Sequence, residues 1–238
     1  MKPSWWTLEP AGERVYRLAM RSSGSGDICR IGLFSDLHWD NAHCRLDALK
    51  RTLQEAQEND WPCLFFGDFY CVMQGRWDPR ASQEAMRPEH RGGNYLDRVI
   101  DTSVEWFAPF KDIVAFVSPG NHEVSIRRRH ETDLISRFVG AMRTSGSRTI
   151  QGPYWGYIMM QIISGKRGMD WRSLYYHHGY GGGGPITRGL IDNSRTRSSD
   201  QADVYISGHI HRRNMDENIV RSITSRGNIE HRQQLHLR

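Results

Sequence analysis

Apolar residues arrive in short bursts between polar segments, and the bursts follow two different spacings. Runs at Ile28–Phe34, Cys63–Phe66, Ile113–Val117, Tyr157–Ile163, Leu174–Tyr176 and Val204–Ile206 have the length and the β-branched, aromatic character of strands. Between them, Leu46, Leu49, Leu53 and Ala56 recur at three- and four-residue steps, which puts them on one face of a helix. A second stripe, Leu96, Val99, Ile100, Ser103 and Phe107, predicts a helix that closes near Pro109. A third follows Glu123 and turns Ile126, Leu134, Ile135, Phe138 and Val139 inward. Strands that alternate with helices predict an α/β layered fold.

No internal repeat is visible. Ser22–Gly26 (SSGSG) and Gly181–Gly184 (GGGG) read as loops too short to separate domains. The expectation is one domain over residues 1–238: an N-terminal segment and loop (1–26), a core (27–211) and C-terminal strands (212–238). Only 27 residues follow His211, with Ile219–Ile223 and Gln233–Leu237 as the closing strands. A chain truncated there would leave an exposed sheet edge.

Composition narrows the function classes. No apolar run approaches the ~18 residues of a membrane helix, and the N-terminus lacks the basic-then-apolar layout of a secretory signal. Four cysteines without a CxxC pair read as reduced thiols of a cytoplasmic protein. The net charge of +5, carried by 28 arginines and 4 lysines, permits an anionic partner without demonstrating one.

The chemistry lies where the strand-like runs stop. They end in LFSDLHWDN (Asp36, His38), LFFGDFY (Asp68), AFVSPGNHE (Asn121, His122), LYYHHGYGGGG (His177, His178) and VYISGHIH (His209, His211). Open α/β sheets bind ligands at the carboxyl ends of their strands, so these groups can converge although they span most of the chain. In extended backbone, residues i and i+2 share a side, which lets Asp36 and His38, or His209 and His211, face one site. Each fragment alone is a weak signal; five in one order are not.

In that order, DxH, GD, GNHE, a strand-end His and GHxH, the chain resembles the calcineurin-like metallophosphoesterase superfamily over about Ile28 to His211. GDFYCVMQGRWDPR and HHGYGGGG further resemble compact phage and prophage members. The resemblance implies a four-layer α/β/β/α sandwich with mixed β-sheets and a two-metal site. Asp36, His38 and His211 would hold one ion. Asn121, the strand-end histidine (His177, with His178 as the alternative) and His209 would hold the other, and Asp68 would bridge both. Imidazole and carboxylate donors suit Mn²⁺, Fe or Zn²⁺, and sequence does not choose among them. Such a pair of ions activates a water for in-line attack on a phosphoryl group. His122 would then protonate the leaving oxygen or stabilise the pentacoordinate phosphorus.

The implied function is metal-dependent hydrolysis of phosphate mono- or diesters. A DNA or RNA nuclease of the same superfamily is the first alternative, and a non-catalytic metal-binding scaffold the second. Arg127 and Arg76 are candidates for contact with a substrate phosphate on a nucleotide or nucleic acid, and Trp39 and Trp77 lie near the motifs. One departure stands out: the family often reads GDxxD, whereas this chain reads GDFYCVM, so a carboxylate that would orient a metal ligand is lost.

Overall fold

Parallel pairing favours strands buried on both faces, and the apolar runs of the first half of the chain supply them. The computed structural model describes residues 5–22, 24, 26–74, 83–165, 168–181 and 189–238. In chain order the elements are β1 (Trp6–Gly12), β2 (Val15–Ser22), β3 (Gly32–Phe34), α1 (Leu46–Glu58), β4 (Cys63–Phe66), α2 (Tyr95–Phe107) and β5 (Val114–Ser118). Then come α3 (Asn121–His130), α4 (Leu134–Thr144), β6 (Ile150–Gln151), β7 (Trp155–Ser164) and β8 (Gly168–His177). The chain closes with α5 (Leu190–Ser199), β9 (Val204–Ser207), β10 (Met215–Ile223) and β11 (Ile229–Leu237). No helix among the described residues is long and apolar enough to cross a membrane.

The chain forms two compact units, one of Ile28–Tyr154 and one of Trp5–Asp27 with Trp155–Arg238. The first holds a parallel four-stranded sheet in the order β3-β4-β5-β6. All four residues of β4 and all five of β5 are buried. The predicted stripe of α1 is buried at Leu49, Leu53 and Ala56, and that of α2 at Val99, Ile100, Ser103 and Phe107. They pack into an aromatic core centred on Phe69, whose ring lies 5.0 Å from Phe107, 4.9 Å from Phe138 and 5.5 Å from Phe65.

The second unit holds a mixed seven-stranded sheet in the order β1-β2-β7-β8-β9-β11-β10. β7 and β8 pair antiparallel over ten positions, whereas β2 with β7, β8 with β9 and β9 with β11 run parallel. One wholly parallel sheet and one large mixed sheet are consistent with the expected sandwich class.

Three elements differ from the sequence expectation. The run Ile28–Phe34 becomes a strand only from Gly32, whose amide donates to the Pro62 carbonyl. Proline has no N–H, so the ladder with β4 cannot extend further back. The single helix expected after Glu123 is two, α3 and α4. Glu131 adopts φ 53° between them, and Asp133 restarts the helix by accepting the Ser136 amide at 2.9 Å. Residues 1–26 are more than a loop-bearing segment, because they contain the β1–β2 hairpin. Tyr16, Leu18 and Met20 alternate inward along β2 with the period of two that a half-buried strand requires.

In the second unit a buried histidine makes stability depend on pH. His236 is 1% exposed, stacks on Tyr205 at 5.6 Å and bonds through Nε2 with the Ser207 hydroxyl at 3.0 Å. Burial, with the nearby Arg238 and Arg197 charges, pushes its pKa down from 6.5 to about 4. Above about pH 6.5 the ring is neutral whether the chain is folded or not. Between there and about 4, the unfolded chain takes up a proton that the folded one refuses, so stability falls as the pH falls. The loss expected by pH 4 is on the order of 2–3 kcal/mol. Denaturant midpoints at pH 7 and 4 should differ less for His236→Phe than for wild type; equal differences would refute this assignment.

Candidate metal and phosphoester site

Five of the predicted ligands stand in strained backbone. Asp36 (φ 54°), His38 (45°), Asp68 (46°), His209 (73°) and His211 (37°) all adopt positive φ, a region that residues other than glycine enter rarely and at a cost. Among the described residues only nine non-glycine positions do so, and such strain concentrates at functional turns.

In the first unit, the strand ends bring Asp36, His38, Asp68, Asn121 and His122 together. The Asp36 amide donates to the Gly67 carbonyl at 3.1 Å, and the His38 amide to the Asp68 carbonyl at 3.0 Å, so the turns after β3 and β4 are bonded to each other. Ser35 Oγ donates to Asp36 Oδ2 at 2.7 Å and orients that carboxylate. Asp68 is buried beside the N-terminus of α3, where Oδ1 accepts the His122 amide at 3.0 Å. A carboxylate is favoured at that end of a helix. The His38 and His122 rings lie 4.8 Å apart.

His122 is held at both nitrogens. Nδ1 lies 2.5 Å from the Cys71 carbonyl, which can only accept, so Nδ1 carries a hydrogen. Nε2 lies 3.6 Å from Asp68 Oδ2. Burial lowers the His122 pKa, but the hydrogen bond to Cys71 and the Asp68 charge outweigh it and bring it to about 9. The Cys71 thiol moves the other way. Burial raises its pKa, whereas hydrogen bonds with His122 and His38, helped by Asn41, bring it down to about 6. Asn41 Nδ2 and Gln74 Nε2 each stand 3.4 Å from its sulfur.

Two buried carboxylates escaped sequence reasoning. Asp40, 1% exposed, accepts the amides of Cys71 (2.5 Å) and Val72 (3.0 Å) and the Tyr95 hydroxyl (2.7 Å). It thereby holds Val72, a β-branched residue, at φ 44°. Glu123 accepts the amides of Tyr70 (2.7 Å) and Gly120 (2.8 Å). Burial and the neighbouring Asp68 charge raise its pKa. Glu123 was legible as the third helical residue after a turn, where a carboxylate reaches back to cap the helix. Asp40 had no such signal.

A cavity of about 640 Å³ opens beside His122 and Cys71 in this unit, lined also by Arg91, Asn94, Arg129 and Arg137. Arg127, the arginine singled out in the sequence, instead lies 3.7 Å from Asp133. Arg76, Trp77 and most of the glycine run 181–184 lie outside the described residues. Trp39 is 2% exposed and packs in the core, so it presents no stacking surface.

In the second unit the two candidate strand-end histidines part ways. His177 Nδ1 accepts the Gly179 amide at 2.8 Å, and its ring meets Tyr180 edge-on at 5.5 Å. His178 is buried, with its ring 5.6 Å from that of His209. The Gly208 amide donates to the His178 carbonyl at 2.9 Å, which ties the GHxH turn to this strand end. His211 is exposed on the same turn.

Gly120 is required for space rather than for φ. A β-carbon there would collide with the Asp68 carboxylate and amide. Gly120→Ala should therefore displace Asp68, destabilise the fold by about 1–3 kcal/mol and lower bound divalent metal. Thermal melts and elemental analysis check this; wild-type values in both would show that Asp68 is not confined as described.

Comparison with the curated proteins and with solved structures gives no significant match. The family model for calcineurin-like phosphoesterases matches residues 29–213, from the strand before Asp36 to just beyond His211. With groups of side chains that could hold a metal ion, the chain belongs to the calcineurin-like phosphoesterases, hydrolases that act on phosphoester bonds.

Proposed function

We propose that this hydrolase uses two divalent ions, with Asp36, His38 and His211 on one, Asn121, His178 and His209 on the other, and Asp68 bridging. The family's motif order supports this set, and so does the chemistry of the donors, a mixture of carboxylate, amide and imidazole that suits Mn²⁺, Fe or Zn²⁺. His178 replaces His177 in the proposal because its ring stands beside His209, whereas His177 is engaged with Gly179 and Tyr180. When bound, the ions supply an activated water and neutralise charge on the phosphoryl group.

The observation that carries the reading is the placement of His122. Its Nδ1 is fixed on the Cys71 carbonyl, which leaves Nε2 as the nitrogen that presents a proton to a leaving oxygen. The adjoining cavity receives the leaving group. Arg91, Arg129 and Arg137 on its wall, against Asp97 paired with Arg137 at 2.6 Å, leave it cationic. A substrate with further negative charge on its leaving group fits this wall, and nucleotides and nucleic acid share that property.

The test is Mn²⁺-loaded protein assayed on p-nitrophenyl phosphate, its bis ester and labelled DNA, with metal content measured in parallel. Asp68→Ala should lose the ions and the activity. His122→Ala should keep the ions and lose about 10²–10⁴ in rate. His178→Ala should lose metal, and His177→Ala should retain it. Undiminished hydrolysis in both Asp68→Ala and His122→Ala would overturn the site, and cleavage of DNA alone would make the protein a nuclease.

A further inference from the structure

Cys71, which has no part in the proposed phosphoester reaction, stands in a set of three donors with His38 and His122. Donor atoms of His38, Cys71 and His122 all lie within 4.8 Å of one another. We infer that these three side chains form a further binding site for a thiophilic divalent cation, of the zinc and cadmium class, which shares His38 with the proposed dinuclear site, and that its occupancy switches the hydrolase off.

One sulfur and two imidazole nitrogens are the donor set of soft and borderline cations, and a closed site of this kind needs donors roughly 3.3–3.8 Å apart, given metal–ligand bonds of about 2.0–2.3 Å. The three donors lie within 4.8 Å of one another, so cation binding draws them closer together. The surroundings are built for the purpose. His122 is oriented through Nδ1 by a backbone carbonyl, the kind of outer contact that ligating histidines carry. The amide groups of Asn41 and Gln74 point N–H donors at the sulfur from 3.4 Å and stabilise charge on it. Asp40 pins the Cys71 and Val72 amides, so the sulfur is held by backbone rather than by a mobile loop. The 640 Å³ cavity that touches both Cys71 and His122 supplies the entry path.

Binding breaks the Cys71 S–H bond, forms a sulfur–metal bond and releases the proton to solvent. No oxidant or reductant takes part. His38 and His122 are drawn away from the roles proposed above, so the inhibitory consequence rests on that reading, while the binding itself does not.

Cadmium alone is the probe, added to chelator-treated full-length protein and followed by thiolate-to-metal charge-transfer absorption. Wild type should develop the band. Cys71→Ser should abolish it, and Cys44→Ser and Cys29→Ser should retain it. His122→Asn should weaken the affinity read from the band by about tenfold or more. X-ray absorption on cadmium-saturated wild type should show one sulfur among nitrogen and oxygen donors, a measurement that does not depend on any variant folding. A band that survives in Cys71→Ser, an affinity unmoved in His122→Asn, or a shell without sulfur would each overturn the inference. Two cations bound with no sulfur contact would leave the proposed dinuclear site standing and remove this one.

Discussion

Two carboxylates that never reach solvent hold the chemical turn of the first unit in place. Asp40 and Glu123 between them accept four backbone amides, those of Tyr70, Cys71, Val72 and Gly120, together with the Tyr95 hydroxyl. Burying a carboxylate is costly unless donors surround it, and bonds to a charged acceptor contribute about 1.5–3 kcal/mol each. Here the donors are supplied by segments that would otherwise be free loop. The segment after Asp68 is therefore as determined as a strand, although it has no strand neighbour. The position of Asp68, the orientation of His122 and the placement of the Cys71 sulfur follow from it.

The strand ends and helix stripes were legible because burial leaves a periodic trace. β4 matches its predicted run residue for residue, and the buried faces of α1 and α2 are the predicted ones. What escaped has a physical reason in each case. The shortening of β3 depends on a missing N–H at Pro62, just before the partner strand β4 and some thirty residues away. The split between α3 and α4 is set by one left-handed residue, Glu131, which apolar spacing does not register. Asp40 sits four residues after Asp36 in an ordinary polar stretch, and only the fold shows that its partners are the amides of residues 71 and 72.

The histidine pair at the end of β8 shows the same limit at the site. Adjacent strand residues point to opposite faces, so the two rings were bound to separate, but the sequence does not say which one turns toward the GHxH motif. The ring contact between His178 and His209 and the engagement of His177 with Gly179 distinguish them. Cys71 is a comparable case. Sequence showed a lost carboxylate, while the structure shows what took its place, a sulfur lodged between two imidazoles.

In the proposed site, the left-handed turns at Asp36, His38, Asp68, His209 and His211 set function against robustness. Glycine would relax each of them, so a protein selected in the laboratory purely for heat resistance would tend to drift toward glycine there and become chemically silent. Tolerance of a bulky side chain at those five corners is thus a mark, readable without any assay, of the role proposed for them.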